Sequence, residues 1–204
     1  MATHTLDHPK PTYFPHKAAV HLEAVDSHEE TITSVATGRW LAVSRIGVGF
    51  IFLWAFLDKT FGLGYATPSA NAWIHGGSPT KGFLSNVGAG PFASAFHSMA
   101  GNPIINVLFM AGMLGVGAAV IAGVALRPAA IAGTVILLMM WAAEWPMAKT
   151  GAAGPTSSTN PFVDYHLVYA LALIVVASLS AGRTWGLGDR WARLPIVRDH
   201  RILR

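Results

Sequence analysis

Six ionisable side chains stand where the sequence is otherwise apolar: Arg45, Asp58, Lys59, Glu144, Asp164 and His166. A charge inside an apolar span is costly, so each such residue is a functional candidate by default. The types suit proton exchange. A histidine titrates near neutral pH, and a carboxylate among tryptophans, as Glu144 is between Trp141 and Trp145, is a natural acid–base partner. Asp164 and His166 are two residues apart in Asn160-Pro161-Phe162-Val163-Asp164-Tyr165-His166, at the start of an apolar run. His97 is a further candidate, in a semi-apolar connecting stretch.

Each candidate also has a plain structural reading. Asn160 and Pro161 read as the N-cap and first residue of a helix. Asp164 would complement the positive end of that helix. Lys59 would reach toward headgroups, and Arg45 would anchor an inner edge or sit inside a bundle. Asp58 and Lys59 lie about 100° apart on a helix, so adjacency alone does not make them a pair.

The elements that must position these residues are four apolar spans, at 40–61, 104–126, 128–145 and 164–181. Each is about 18 to 23 residues, enough to cross a hydrocarbon core of about 30 Å at roughly 1.5 Å per residue. Inside lipid a span must satisfy its own backbone, which requires helices. The 204 residues are 52% hydrophobic and only 12% charged, and mean hydropathy is +0.45. That composition suits a membrane bundle, and with the four spans the expected fold is an all-α integral membrane four-helix bundle. Its expected parts are a polar amino-terminal tail at 1–38, a four-helix domain at 39–182 with a long outer loop at 62–103, and a basic tail at 183–204.

Lysine and arginine near the span ends set orientation. They concentrate at Lys10, Lys17 and Arg39, at Arg127, and from Arg183 to Arg204, whereas the other two links carry only Lys81 and Lys149. Both termini are therefore expected in the cytoplasm, with four crossings of the plasma (inner) membrane. In that topology Asp58, Lys59, Glu144, Asp164 and His166 share the outer level, and Arg45 lies deeper. Glu144 stands about 24 Å along its helix from Pro128. Ser78-Pro79 and Gly90-Pro91 announce short helices in the outer loop, with Gly101 closing the second. Apolar residues such as Trp73, Phe83, Leu84 and Phe96 would fold that loop over the bundle. Ala111, Gly115, Ala119 and Gly123, at i, i+4 spacing, form a small-residue stripe for close helix approach. The stretch 185–193 reads as a basic segment on the inner surface.

Some classes are excluded. With no cysteine there is no disulfide, zinc-thiolate site or cysteine-held iron–sulfur cluster. No flavin motif is evident. The histidines His4, His8, His16, His21 and His28 have irregular spacing and no accompanying acid cluster, so no metal motif is read there. The net charge of +4 flanks apolar spans and is a topology signal, so nucleic acid is not an expected partner. No cleavable leader pattern is expected in the polar tail, and 20–35 reads as a short amphipathic helix.

Arg45-Ile46-Gly47-Val48-Gly49 with Asp58-Lys59 resembles the first helix of the DoxX/DoxD family. Gly76-Gly77-Ser78-Pro79-Thr80-Lys81-Gly82-Phe83-Leu84 and Ala100-Gly101-Asn102-Pro103 resemble the outer loop of its DoxD branch, and Asn160 to Ala170 its last helix. The likeness covers about residues 39–191. It implies the membrane subunit of a thiosulfate:quinone oxidoreductase, with a smaller partner subunit and quinone as cofactor. Under that resemblance Glu144, His166 and Asp164 would exchange protons with the quinone. Arg45, Asp58, Lys59 and His97 would serve substrate binding, with Lys59 or Arg45 holding an anion such as thiosulfate. Two other roles stay open: a non-catalytic accessory subunit of a larger respiratory complex, and a proton-linked carrier. No inverted repeat supports the carrier.

Overall fold

A computed structural model describes residues 34–156 and 158–203. The five amino-terminal histidines, Lys10, Lys17 and nearly all of the helix expected over 20–35 lie outside the described residues. The chain is mostly helical. Four longer helices, α1 (Val35–Phe61), α4 (Pro103–Ala122), α5 (Leu126–Glu144) and α6 (Tyr165–Ser178), carry the core, and short α2 (Lys81–Ser85) and α3 (Ala93–Met99) lie between α1 and α4. Helix α1 packs on α4 and α6, and α5 packs on α4 and α6. Phe52, Met113, Val116, Leu137 and Leu173 meet in one buried cluster drawn from all four.

Three helices, α1, α4 and α5, are long and apolar enough to cross a membrane. Their outward faces carry exposed Phe50, Leu108, Leu114, Ile131, Val135 and Leu138. That is the reverse of a water-facing helix surface, and it is compatible with a bilayer.

The fourth expected span differs. Helix α6 has only 14 residues, about 21 Å of rise. It begins later than 161 because Asp164, in extended conformation, takes the N-cap position. Asn160 instead accepts from the Phe162 and Val163 N–H groups at 2.9 and 3.0 Å, holding a turn outside the helix. At the other end Ser180 has φ +48°, and the chain leaves the helix to wrap Arg45. Buried Arg45 donates to the carbonyls of Val120 (2.6 Å), Ile121, Thr184 (3.4 Å) and Trp185 (2.9 Å). One guanidinium thus satisfies the C-terminal carbonyls of α4 and the irregular backbone after α6. Non-helical backbone is tolerated at such depth when protein groups bond it.

The close helix approaches also differ from the expected stripe. Gly115 has no described residue within 4 Å of where its side chain would begin. Among the helical glycines that admit a neighbour are Gly117, where a Cβ would stand 2.7 Å from the Leu53 nitrogen, Gly49 against Ile121, Gly112 against Ile136, and Gly133 against Leu173. Of the stripe, Gly123 meets the backbone of Gly182.

The 62–103 loop, expected on the outer side, folds over the helix ends. Its helices α2 and α3 start two residues after Pro79 and Pro91, and two 3₁₀ turns, Ser69–Asn71 and Trp73–His75, precede them. Asn106 pins the loop to α4: its Oδ1 accepts from Thr80 Oγ1 (2.6 Å) and Ser78 Oγ (3.1 Å). The α5–α6 link adds an antiparallel pair, β1 (Thr150–Gly151) with β2 (Gly154–Pro155), a small departure from all-α. Ala152 N–H donates to Gly88 O at 2.9 Å, joining this link to the loop. After α6, short α7 (Gly188–Ala192) and α8 (Pro195–Asp199) lead to a last turn at Arg201–Leu203, which packs on α5.

Candidate functional site

Two helix ends build the polar site. Glu144 is the last residue of α5 because Trp145 turns left-handed (φ +43°) and donates its N–H to Trp141 O at 2.9 Å. Asp164 begins α6, its Oδ1 accepting from His166 N–H at 3.0 Å and Leu167 N–H at 3.2 Å. These bonds satisfy two orphan donors of the first turn and fix the carboxylate. The other oxygen, Oδ2, accepts from His166 Nδ1 at 2.8 Å. Since a carboxylate only accepts, Nδ1 carries the proton and a neutral ring leaves Nε2 bare. Nε2 is buried and has no hydrogen-bond partner among the described residues.

Glu144 Oε2 lies 4.0 Å from the same Nδ1. Its Oε1 accepts from Tyr165 Oη at 2.8 Å, and the Tyr165 ring lies over His166 with centroids 4.0 Å apart. Trp141 Nε1 donates to Phe162 O at 3.1 Å, fastening the link beside the site. The side chains step outward in exposure: His166 1%, Asp164 15%, Glu144 35%. Two acids and an imidazole share the space, with no arginine or lysine ion pair to them among the described residues. One ligand atom from each lies within 4.8 Å of the others, so the trio has the donors to hold a metal ion, although no metal motif is legible in the sequence.

The remaining candidates lie elsewhere. Buried Asp58 accepts from Tyr65 N–H (3.2 Å) and Ala66 N–H (3.0 Å), which ties the start of the outer loop to α1. His97 Nε2 bonds Val87 O at 2.9 Å and fixes α3 within the loop. Arg45 is engaged by carbonyls at the far end of the helices, away from Glu144 at the opposite end of α5. Lys59 borders an apolar cavity that none of Glu144, Asp164 and His166 lines. Tyr165 and Asn106 are the participants that sequence reasoning passed over. Tyr165 had a signal, a phenol one residue from each member of the Asp164/His166 pair. Asn106 had only its polarity within an apolar run.

Comparisons with protein families, curated proteins and solved structures find no match to this chain.

Proposed function

We propose that this chain is a membrane-embedded, quinone-linked redox subunit, the role implied by its resemblance to the DoxX/DoxD family. The observation that carries the reading is the Asp164–His166 pair beside Glu144, with a bare, buried Nε2, in a chain whose helices suit a bilayer. A buried nitrogen without a partner costs about 1–3 kcal/mol, and an arrangement that keeps one is suited to accepting a proton.

The residues divide the work by exposure. Glu144, the most exposed, meets the lipophile and holds or releases a proton at Oε2. Tyr165 fixes the other oxygen of Glu144 and, with Trp141, offers an aromatic surface to a flat ring. His166 takes up a proton at Nε2, and Asp164 holds the imidazole in one tautomer through Nδ1 and stabilises its charged form. A bound quinone supplies the two-electron acceptor, and the resemblance implies thiosulfate as donor. In this reading α6, with the wrapped segment after it, makes a fourth crossing, both termini face the cytoplasm of an inner membrane, and a partner subunit docks beside it.

The test is thiosulfate-dependent quinone reduction by the purified protein and its co-purifying subunits in nanodiscs. Glu144→Gln and His166→Ala should each abolish turnover in protein that remains folded. Turnover surviving both changes removes the proton role. A stoichiometric large partner with no quinone in the extract would instead favour the accessory-subunit role.

A further inference from the structure

Two hollows on the loop side of the helices share Lys59 as a wall residue. The first is an apolar cavity of about 280 Å³, walled by Phe83, Phe96, Met99, Phe109, Met140 and neighbours, between loop helices α2 and α3 and helices α4 and α5. Lys59 is its one charged wall residue among those described. The second is a mixed cleft of about 650 Å³, more polar than the first, holding Lys59 and Lys81 with Thr67, Asn71, Ser78 and Ser85. Lys59, Pro79 and Phe83 border both.

Lys59 is half-buried and forms no hydrogen bond or ion pair with a described residue. Asp58, the adjacent acid, has both oxygens engaged by the Tyr65 and Ala66 N–H groups. The neighbouring Asp58 carboxylate offsets part of the Lys59 charge but makes no ion pair with it, and an ammonium so placed beside apolar walls is costly, so the site is complementary to an anion with an apolar body. The cavity also reaches the outer surface of the helices. Its wall residues Leu108 and Met139 are 64% and 45% exposed, on faces that a bilayer would cover. An occupant can therefore lie with its head in the cleft and its apolar part toward lipid. The volume is near the lower end of small-molecule pockets, roughly 300 Å³, so it takes part of a chain and leaves the rest in the bilayer. A neutral ring would leave both lysines unmatched, and a small anion would leave the apolar cavity empty.

We propose that this joined site holds one anionic phospholipid, its phosphate between Lys59 and Lys81 and one acyl chain in the cavity. The proposal is independent of the redox reading, since none of Glu144, Asp164, Tyr165 and His166 lines either hollow. The bound lipid would brace the outer loop against α4 and α5.

The experiment is native mass spectrometry and lipid extraction of the full chain from nanodiscs made with phosphatidylglycerol, phosphatidylcholine or their mixture. Phosphatidylglycerol should remain bound at about one per chain and outcompete phosphatidylcholine. The Lys59→Gln/Lys81→Gln variant should bind it about 25-fold more weakly, near a factor of five per lysine, and Lys59→Arg should retain it. Equal retention of the two lipids by the unaltered protein overturns the proposal, and that comparison stands even should a variant fold poorly. Unchanged binding in the double variant, or a quinone in place of the phospholipid, overturns it as well. Glu144→Gln should leave lipid retention as it was, which separates this result from the fate of the redox reading.

Discussion

Replacing Asp164 separates its two jobs. Asp164→Ala removes an N-cap that accepts two backbone N–H groups, a loss of about 1 kcal/mol. It also strips the 2.8 Å partner from His166 Nδ1. A buried imidazole with neither nitrogen bonded adds about 1–3 kcal/mol. The sum is roughly 2–4 kcal/mol of stability. Asp164→Asn behaves differently. The amide oxygen caps as well as a carboxylate does, while its NH₂ faces the imidazole and can donate to Nδ1 once the ring carries its proton on Nε2. Asp164→Asn should therefore lose less than about 1 kcal/mol but reverse the histidine tautomer. Unfolding in mixed detergent micelles, followed by tryptophan fluorescence, measures the first quantity, and ¹⁵N-histidine spectra measure the second. An Asp164→Ala protein within about 0.5 kcal/mol of the parent would refute the reasoning. So would an Asp164→Asn protein as damaged as the alanine variant, or one whose imidazole keeps its proton on Nδ1.

Arg45→Lys should destabilise by about 2 kcal/mol or more, because an ammonium cannot reach carbonyls on both segments as the planar guanidinium does; the same unfolding assay reads it. Gly117→Ala should cost about 1–3 kcal/mol, since its methyl would meet the Leu53 backbone, whereas Gly115→Ala, with open space there, should be neutral or stabilising by up to about 1 kcal/mol. Loss at both positions would mean that another helix covers Gly115. Single cysteines at Lys81 and Lys149 should react with an impermeant thiol reagent from the same side of the membrane, because the Ala152–Gly88 bond joins their two connections; labelling from opposite sides would rule out the shared outer level.

Much of the helical plan was legible because apolar run length is a one-dimensional property. The spans at 104–126 and 128–145 closely anticipate α4 and α5, and Glu144 falls on the final turn because distance along a helix is set by residue count. The juxtaposition of Asp164 with His166 was also local, two residues apart. The rest depended on contacts between distant segments. Nothing within residues 164–181 shows that Arg45, well over a hundred residues earlier, draws the following backbone out of helix by bonding Thr184 and Trp185. The periodicity of Ala111, Gly115, Ala119 and Gly123 is real, but which side of α4 meets α1 is decided by packing against α1 and α5 together, and Gly117 is the residue on the α1 side. Asp58 and Lys59 carry opposite charges side by side; only the packed loop turns Asp58 to backbone N–H groups and Lys59 to a cavity. Sequence by itself determined which residues are too polar for their surroundings, since burial of a charge in an apolar span is costly wherever the chain goes. Tertiary structure decided which of them are satisfied by backbone and which face one another, because hydrogen bonding requires positions to within a few tenths of an ångström and residue order does not specify them.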